Sequence, residues 1–556
     1  MPTAADVLMS EYQNPSDDDE VDVVESEEQD EEEYPLDKVI VLHPSSYYLK
    51  LGLAISQEPT LFRHVIAHKK KLGSGQTESK EQKEEVGMKE EPSEQSDSNE
   101  WSSFNHGFLR TKLATLLTSI LGGPKGKRGS KAPNNANPIT YITEKLARSE
   151  ESIDTTMETG PSFVAGEEAF AFADTGKYNL HCPVKQGKFA VDESHSMSLV
   201  SDELEKIWEA AISQKLGISR KDLPSYRAVL VIPDNCPRRE LKVYVSLVLS
   251  RLGFESLMLC QESIASTFAN GLATACVVDV GLERSHVVCV EDGLLIPDSR
   301  VELDYGSRAI DLALLSLLES NPTPFPLKQP TPSRHLLEAI SSLKEQQTHL
   351  NLDARNQSAQ CELVVPDGRN MKKLSFLLSQ DLVLGPLVLF APIPQLSTPA
   401  PAFPPFYTHD PEDLAEDVVE TQAKKQEADA QPNDSANSNE NVKFTPLDRA
   451  VVDSIQSVCR PEVASKMFSK VIFVGGTASL QNLAEFLEGC LQKYMVPGAE
   501  DAEVISKNRG GSVAHLSWVG GSLFIRLATA RNMWLHASHW RDHGMASLRE
   551  KIAFFV

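Results

Sequence analysis

The chain has 556 residues, of which 41% are hydrophobic, and its formal net charge is −25 at pH 7. This length is enough for two or more lobes with cores of their own. The net negative charge repels the phosphate backbone, so it disfavours a protein whose whole surface binds nucleic acid. The eight cysteines form no CxxC pair, which argues against a zinc-finger or disulfide framework and fits a reducing compartment. No apolar run approaches the roughly 18 residues that a membrane span requires.

Composition divides the chain into folded and unfolded segments. Stretches rich in charged, Pro, Ser and Asn residues bury too little apolar surface to become ordered. We therefore expect the following organisation: a disordered acidic N-terminal tail at 1–37, folded sequence at 38–71, a largely disordered insertion at 72–160, a folded core at 161–391, a second disordered insertion at 392–441, and a folded C-terminal part at 442–556.

The folded segments alternate between strand and helix patterns. Short apolar runs at 38–42 and 48–52 predict two strands joined by a turn. A helix is expected at 202–216, with Asp202 and Glu205 as its capping pair. Further along, strands and helices succeed one another between 228 and 278, which is typical of a parallel sheet.

Three short signatures follow buried strands and supply tight turns, glycines and one carboxylate. Their residues are the candidate nucleotide-binding set: Ser45, Ser46, Tyr47, Asp279, Val280, Gly281, Leu282, Gly475, Gly476 and Thr477. Backbone N–H groups in tight turns bind phosphate, and a carboxylate such as Asp279 orients Mg²⁺ through metal-bound water. Taken singly, a strand–glycine–helix junction is equally typical of close packing.

In their order and spacing, these signatures resemble the actin and actin-related protein family. The other segments that carry the resemblance are Val231-Ile232-Pro233-Asp234, Gln261-Glu262-Ser263, Cys289-Val290-Glu291-Asp292-Gly293 and Trp518-Val519-Gly520-Gly521-Ser522. The resemblance implies an α/β, two-lobed actin-like fold, the fold of the actin/Hsp70 ATPases, with long disordered insertions. It also implies ATP and Mg²⁺ as cofactors, with two strand hairpins at the phosphates and the Gly475–Thr477 turn at the adenosine.

The acidic N-terminal segment and the late insertion are shared with nuclear members of that family. Those members are subunits of ATP-dependent chromatin remodellers of the INO-eighty class. The resemblance therefore implies a nuclear protein that pairs with nuclear actin and another actin-related protein on the motor subunit. It further implies contacts with histones and with nucleosomal or linker DNA, in transcription, DNA recombination and DNA repair, and no membrane partner.

Departures from the actin pattern predict weak catalysis. His43 stands where actin has a carboxylate, Tyr47 stands at a glycine position where its bulk is expected to crowd the phosphates, and Leu282 replaces an acid. Glu262 occupies the position of the glutamine that places the attacking water; we interpret it as capping its helix, a general base being the alternative. We therefore predict that the chain is not an enzyme, and that ATP is a structural ligand with slow or absent hydrolysis.

Two other functions compete with this interpretation. The first is a weak ATPase or chaperone of the actin/Hsp70 superfamily, which requires intact phosphate loops. The second is a filament-forming relative, which the insertions disfavour because a repeating head-to-tail contact uses the same surfaces on every subunit. The basic clusters at 69–71 and 125–131 are the candidate contacts for DNA phosphates, and solvated loops are the alternative for both.

Overall fold

The computed structural model describes residues 35–70, 101, 103–121, 138–147, 160–192, 194–367, 370–397, 444–495, 501–506 and 512–551. The acidic tail up to residue 34, the basic cluster at 125–131 and the insertion from 398 to 443 lie outside the described residues. Within the described part of the chain, no helix is long and apolar enough to span a membrane.

The strands, numbered in chain order, are β1 (Val39–Pro44), β2 (Tyr48–Leu53), β3 (Thr60–Arg63), β4 (Ile66–Lys69), β5 (Ile142–Ala147), β6 (Phe163–Ala165), β7 (Tyr178–His181), β8 (Val184–Lys185), β9 (Lys188–Phe189), β10 (Arg227–Ile232), β11 (Ser256–Gln261), β12 (Ala275–Val280), β13 (Ser285–Glu291), β14 (Leu294–Leu295), β15 (Val301–Leu303), β16 (Ala359–Asp367), β17 (Asn370–Leu378), β18 (Val471–Val474), β19 (Val504–Ile505) and β20 (Leu535–His536).

The α-helices, numbered in the same way, are α1 (His106–Ile120), α2 (Glu168–Asp174), α3 (Met197–Ala211), α4 (Arg238–Ser246), α5 (Glu262–Ala269), α6 (Ser307–Glu319), α7 (Arg334–Gln347), α8 (Asp381–Leu384), α9 (Leu447–Gln456), α10 (Pro461–Phe468), α11 (Leu483–Leu491), α12 (Leu516–Phe524), α13 (Ala537–His543) and α14 (Leu548–Lys551).

The first lobe is built on one mixed sheet with the strand order β20-β11-β10-β1-β2-β3. Strands β1, β10 and β11 run parallel, as the alternation of strands and helices predicts. One face of this sheet packs against α3 and α4 through Trp208 and Tyr244. The other face packs against α12 through Trp518, which is fully buried. Both faces are covered, which explains why these strands are continuous apolar runs.

The second lobe repeats the pattern with the order β14-β13-β12-β18-β19, and β15 pairs with β13. Here β12, β18 and β19 are parallel, whereas β12 and β13 form an antiparallel hairpin. Helices α6 and α9 pack on this sheet. The two sheets, each flanked by helices, make the α/β, two-lobed actin-like fold that the sequence predicts.

The insertion at 72–160, expected to be largely disordered, contains structured elements of the second lobe. Helix α1 buries Leu109, Leu113 and Leu117 in the core of that lobe. Its Arg110 forms an ion pair with Asp381 at 2.8 Å. Strand β5 pairs with β17 at the edge of a three-stranded sheet. An apolar stripe at helical spacing thus makes α1 part of the fold, although the sequence around it is polar.

The predicted start of the helix at Asp202 is wrong by about one and a half turns. Helix α3 begins at Met197, and the Oγ of Ser196 accepts a hydrogen bond from the N–H of Leu199 at 3.3 Å. Asp202 and Glu205 face Arg251 instead, with ion-pair distances of 2.5 and 3.1 Å. The carboxylates therefore join α3 to the segment after α4 rather than capping a helix.

Candidate functional site

A cavity of about 680 Å³ lies between the two lobes, and all ten predicted nucleotide-binding residues line it. They arrive on three turns, which follow β1, β12 and β18. The structure therefore brings together residues that are more than 400 positions apart in the sequence.

The first turn joins β1 to β2 and is closed by Ser45. Its N–H and its hydroxyl both donate hydrogen bonds to the carbonyl of Tyr48, at 3.0 and 2.7 Å. Tyr47 does not have a positive φ, so the turn does not demand glycine there. Its ring stacks under the guanidinium of Arg63, 3.9 Å from the ring centroid. The backbone at Tyr47 thus stays outside the left-handed region, and a cation–π contact holds the ring.

His64 supports this turn from the core of the first lobe. Its Nδ1–H donates to the carbonyl of Ser45 at 2.8 Å, and its Nε2 accepts from the indole N–H of Trp208 at 3.2 Å. Both contacts require a neutral imidazole. Burial accordingly lowers the pKa of His64 to about 4, although the hydrogen bond to Ser45 opposes the shift.

We expect this histidine to make the protein acid-sensitive. Below pH 6.5 the imidazole of His64 is protonated in the unfolded chain, whereas in the folded chain it stays neutral down to about pH 4. The free energy of unfolding therefore falls between pH 6.5 and pH 4, by up to about 3 kcal/mol. Above pH 6.5 the contribution is flat. Denaturant titrations of the wild type and of His64→Gln, made every half pH unit, measure it. If the free energy of unfolding of the variant falls equally steeply below pH 6.5, groups other than His64 cause the acid sensitivity.

The second turn, between β12 and β13, is braced by the start of α6. The N–H of Gly281 donates to the carbonyl of Arg284 at 3.0 Å. The carbonyls of Gly281 and Leu282 accept from the N–H groups of Ser307 and Arg308, at 2.9 and 2.7 Å. The turn is therefore fixed from both sides before any ligand arrives.

The third turn follows β18 and touches the second. Gly475 has φ of +91°, a conformation that L side chains rarely adopt. A Cβ there would lie 2.7 Å from Asp279 Oδ1 and 2.9 Å from the carbonyl of Val280. Thr477 donates its hydroxyl to that same carbonyl at 2.9 Å. Gly476, in contrast, has open space beside it, as an adenosine site requires.

Four titratable side chains meet where the lobes face each other. The Nε2–H of His43 donates to Glu262 Oε1 at 2.6 Å. Burial lowers the pKa of His43, and the charge of Lys50 lowers it further, so the imidazole is neutral at pH 7. Burial raises the pKa of Asp279, against the opposing effect of Lys50. A hydrogen-bonded pair thus occupies positions where the actin pattern places a carboxylate and a glutamine.

The interpretation of Glu262 as a helix cap is corrected by this contact. Glu262 is the first residue of α5, and the N-cap is Gln261, which makes no side-chain capping bond. The side chain of Glu262 lies in the cleft and reaches His43 across 219 sequence positions. A local sequence pattern carries no information about such a distant partner.

Two cleft cations were missed from the sequence. Lys50 lies in the apolar strand β2 and donates to the carbonyl of Ala514 at 2.8 Å. A lysine inside an apolar run is the feature of the sequence that could have identified Lys50 as a cleft residue. His286 lies 3.3 Å from Asp234. Burial lowers the pKa of His286, but the carboxylates of Asp234, Asp279 and Glu262 outweigh this effect and raise the pKa to about 10.

Asp279 and Glu262 bring two carboxylates close together in the cleft, where they can receive a metal ion. One ligand atom from each, together with one from His286, lies within 4.8 Å of the others. Magnesium prefers oxygen ligands and retains bound water, so the two carboxylates fit it better than the histidine does. Lys50 and protonated His286 compete for the same negative charge.

Comparison with known proteins supports the fold and the family. The Actin family model matches residues 37–553. Actin-related protein 8 of Aedes aegypti is 26% identical over 93% of this chain and 97% of its own length, and that of Bos taurus is 25% identical over 93% and 92%. A solved structure, "Human actin-related protein Arp8 in its ATP-bound state", has a TM-score of 0.73 at 24% identity and covers 95% of this chain and 98% of that one.

The matched range includes all three turns of the cleft and every segment that carried the resemblance in the sequence. The predicted relationship to the actin-related proteins is therefore confirmed. The chain belongs to the actin family.

Proposed function

We propose that the chain is a non-catalytic actin-related subunit of an ATP-dependent chromatin remodeller in the nucleus. In this proposal it holds ATP as a structural ligand, with little or no hydrolysis. The observation that carries the non-catalytic part is the hydrogen bond between His43 and Glu262 in the cleft. The remodeller part rests on similarity to actin-related protein 8 over 93% of the chain.

Nucleotide binding is supported by the way the three turns are built. Ser45, Ser46 and Tyr47 present one backbone turn to the cavity, and Gly281 and Leu282 present a second. Gly475, Gly476 and Thr477 form the third turn, which leaves open space beside Gly476 for the adenosine. Turns of this kind bind phosphate through backbone N–H groups. The relative solved in its ATP-bound state has the same fold.

Slow hydrolysis is supported by the chemistry of the central pair. A water molecule that attacks phosphate must be oriented by a free acceptor within hydrogen-bond reach. Glu262 Oε1 accepts the Nε2–H of His43 at 2.6 Å, so in this proposal the histidine fixes the orientation of the carboxylate and competes with water for it. Mg²⁺, when bound by Asp279 through water, would neutralise phosphate charge, but Asp279 is buried and its pKa is raised by that burial. The site can thus retain a nucleotide without aligning a nucleophile.

The partners in the proposal are the motor subunit, nuclear actin and another actin-related protein, with histones and nucleosomal or linker DNA as substrates of the assembly. The net charge of −25 suits contact with basic histone surfaces.

Purification of the tagged chain from nuclear extract, followed by mass spectrometry, tests membership in a remodeller. We expect a Snf2-type motor, actin and a further actin-related protein in near-equal amounts. Recovery of the chain alone, or with cytoskeletal proteins or chaperone clients, would overturn the proposal and favour the ATPase or chaperone alternative.

The nucleotide part has its own measurement. We expect one ATP per chain to survive gel filtration and to remain unhydrolysed in a single-turnover assay over hours. Hydrolysis faster than the slow basal rate of monomeric actin would identify a weak ATPase. His43→Asp, which restores the carboxylate of the actin pattern and releases Glu262, is the variant in which we expect the rate to rise.

A further inference from the structure

A second cluster of titratable side chains lies in the first lobe, and none of its members lines the nucleotide cavity. It consists of His68, His181, His195, Glu203 and Asp192. His68 and His181 come from the paired strands β4 and β7, whereas Glu203 comes from α3, which packs over them. The cleft chemistry makes no use of this cluster.

Glu203 is the centre of the cluster and is only 2% exposed. Its Oε1 accepts a hydrogen bond from His68 Nε2 at 2.8 Å, and its Oε2 accepts one from His181 Nδ1 at 2.5 Å. These two bonds lower the pKa of Glu203 to about 2, although burial alone would raise it. The carboxylate is therefore ionised at neutral pH, inside a protein region where an unpaired charge is costly.

His195 completes the cluster from the segment just before α3. Its ring stacks on that of His181 with centroids 3.8 Å apart and planes 4° from parallel. This stacking holds the two rings side by side. The Nδ1 of His195 lies 3.1 Å from Asp192 Oδ1. Carboxylates that hold one ring nitrogen and leave the other free are the usual companions of metal-binding histidines.

We propose that His181, His195 and Glu203 bind a divalent transition-metal ion, with zinc as the best match. One ligand atom from each lies within 4.8 Å of the other two. Zinc takes imidazole nitrogen and carboxylate oxygen at about 2.0–2.2 Å, so closing the site requires side-chain shifts of about 1 Å. Magnesium and calcium prefer sites made of oxygen only.

The remaining members of the cluster have supporting roles. His68 keeps its bond to Glu203 Oε1 and so orients the carboxylate, while Asp192 orients His195. Glu203 and Asp192 bring two carboxylates to the cluster, and carboxylates favour a bound cation. His68 and His195 are partly exposed, which leaves a route for the ion.

Titration of the full chain, first stripped with a chelator, with Zn²⁺ and with Co²⁺ tests the site. We expect one ion per chain, visible absorption bands of tetrahedral Co²⁺, and a rise in the unfolding temperature with Zn²⁺ but not with Mg²⁺. His195→Gln removes a ligand at a partly exposed position. It is expected to weaken binding by at least about tenfold while leaving the fold and ATP retention intact.

The matched control is His539→Gln. His539 and His543 lie one turn apart on α13 with ring centroids 4.6 Å apart, and no carboxylate among the described residues is bonded to either ring. His539 is half-buried and His543 is exposed. A histidine pair that lacks a carboxylate partner is expected to bind transition metals weakly, so this variant measures adventitious binding. Binding abolished by His539→Gln and retained in His195→Gln would overturn the proposal. So would an absorption spectrum of Co²⁺ bound to thiolates, or no stoichiometric uptake at all.

Discussion

Replacement of Gly520 by alanine is expected to destabilise the first lobe by more than about 3 kcal/mol. Helices α5 and α12 cross so closely at this glycine that a Cβ would lie 1.7 Å from the carbonyl oxygen of Ala265. That atom belongs to the backbone of α5, so no side-chain rotation relieves the contact, and the helices must separate. Separation uncovers Trp518, whose indole N–H donates to the carbonyl of Val41 at 3.0 Å.

Chemical denaturation, followed by intrinsic fluorescence, measures the effect. The control is Gly489→Ala on α11, where an added Cβ meets nothing within 4 Å. Alanine is about 1 kcal/mol more favourable than glycine in a helix interior. We therefore expect Gly489→Ala to be at least as stable as the wild type. A close crossing of the two helices predicts that the free energy of unfolding falls in Gly520→Ala and is unchanged or rises in Gly489→Ala. A Gly520→Ala protein as stable as the wild type would show that α5 and α12 lie farther apart.

Gly475→Ala is expected to weaken ATP binding while the chain stays folded. Alanine at a φ of +91° costs about 1–3 kcal/mol. The new Cβ would in addition press on Asp279 Oδ1 and on the carbonyl of Val280, at 2.7 and 2.9 Å. Relief of that contact moves the second turn away from the third. A loss of 1.4 kcal/mol in binding is tenfold in Kd, so we expect the affinity for ATP to fall by roughly tenfold or more.

Gly476→Ala is the neighbouring control, because a Cβ there meets nothing within 4 Å and the backbone is not left-handed. Isothermal titration of both variants with ATP, together with circular dichroism, separates loss of binding from loss of structure. If Gly475→Ala and Gly476→Ala bind ATP equally well, the third turn does not form part of a nucleotide site.

Local sequence patterns predicted the strands and helices of the fold far better than its contacts. The runs that became β10, β11 and β12 are apolar on both sides because helices cover both faces of each sheet. The turn at Asp292 and Gly293 has positive φ at both residues, 50° and 78°, as an Asp-Gly hairpin requires. Both features are patterns of consecutive residues, and they can therefore be read from one sequence.

The errors concern residues whose partners are distant along the chain. Glu262 resembled a helix cap because its neighbours begin a helix, yet its partner is His43. Asp202 resembled a cap for the same reason, yet it pairs with Arg251. Helix α1 lies in a segment that was expected to be largely disordered, because the sequence beside it is polar and the core that receives Leu113 is formed by distant residues. The predicted nucleotide-binding residues line one cavity, and family spacing, not local chemistry, grouped them in the prediction.

The contact between Trp518 and Val41 also constrains how the protein is made. The two residues are 477 positions apart, and β20 closes the far edge of the same sheet. A ribosome adds about 5–20 residues per second, so β1 waits roughly half a minute or longer for the segment that covers it. During that time an apolar sheet face is exposed on the nascent chain. We therefore expect newly synthesised chains to associate with a chaperone until translation ends, and messages truncated before codon 518 to yield insoluble protein.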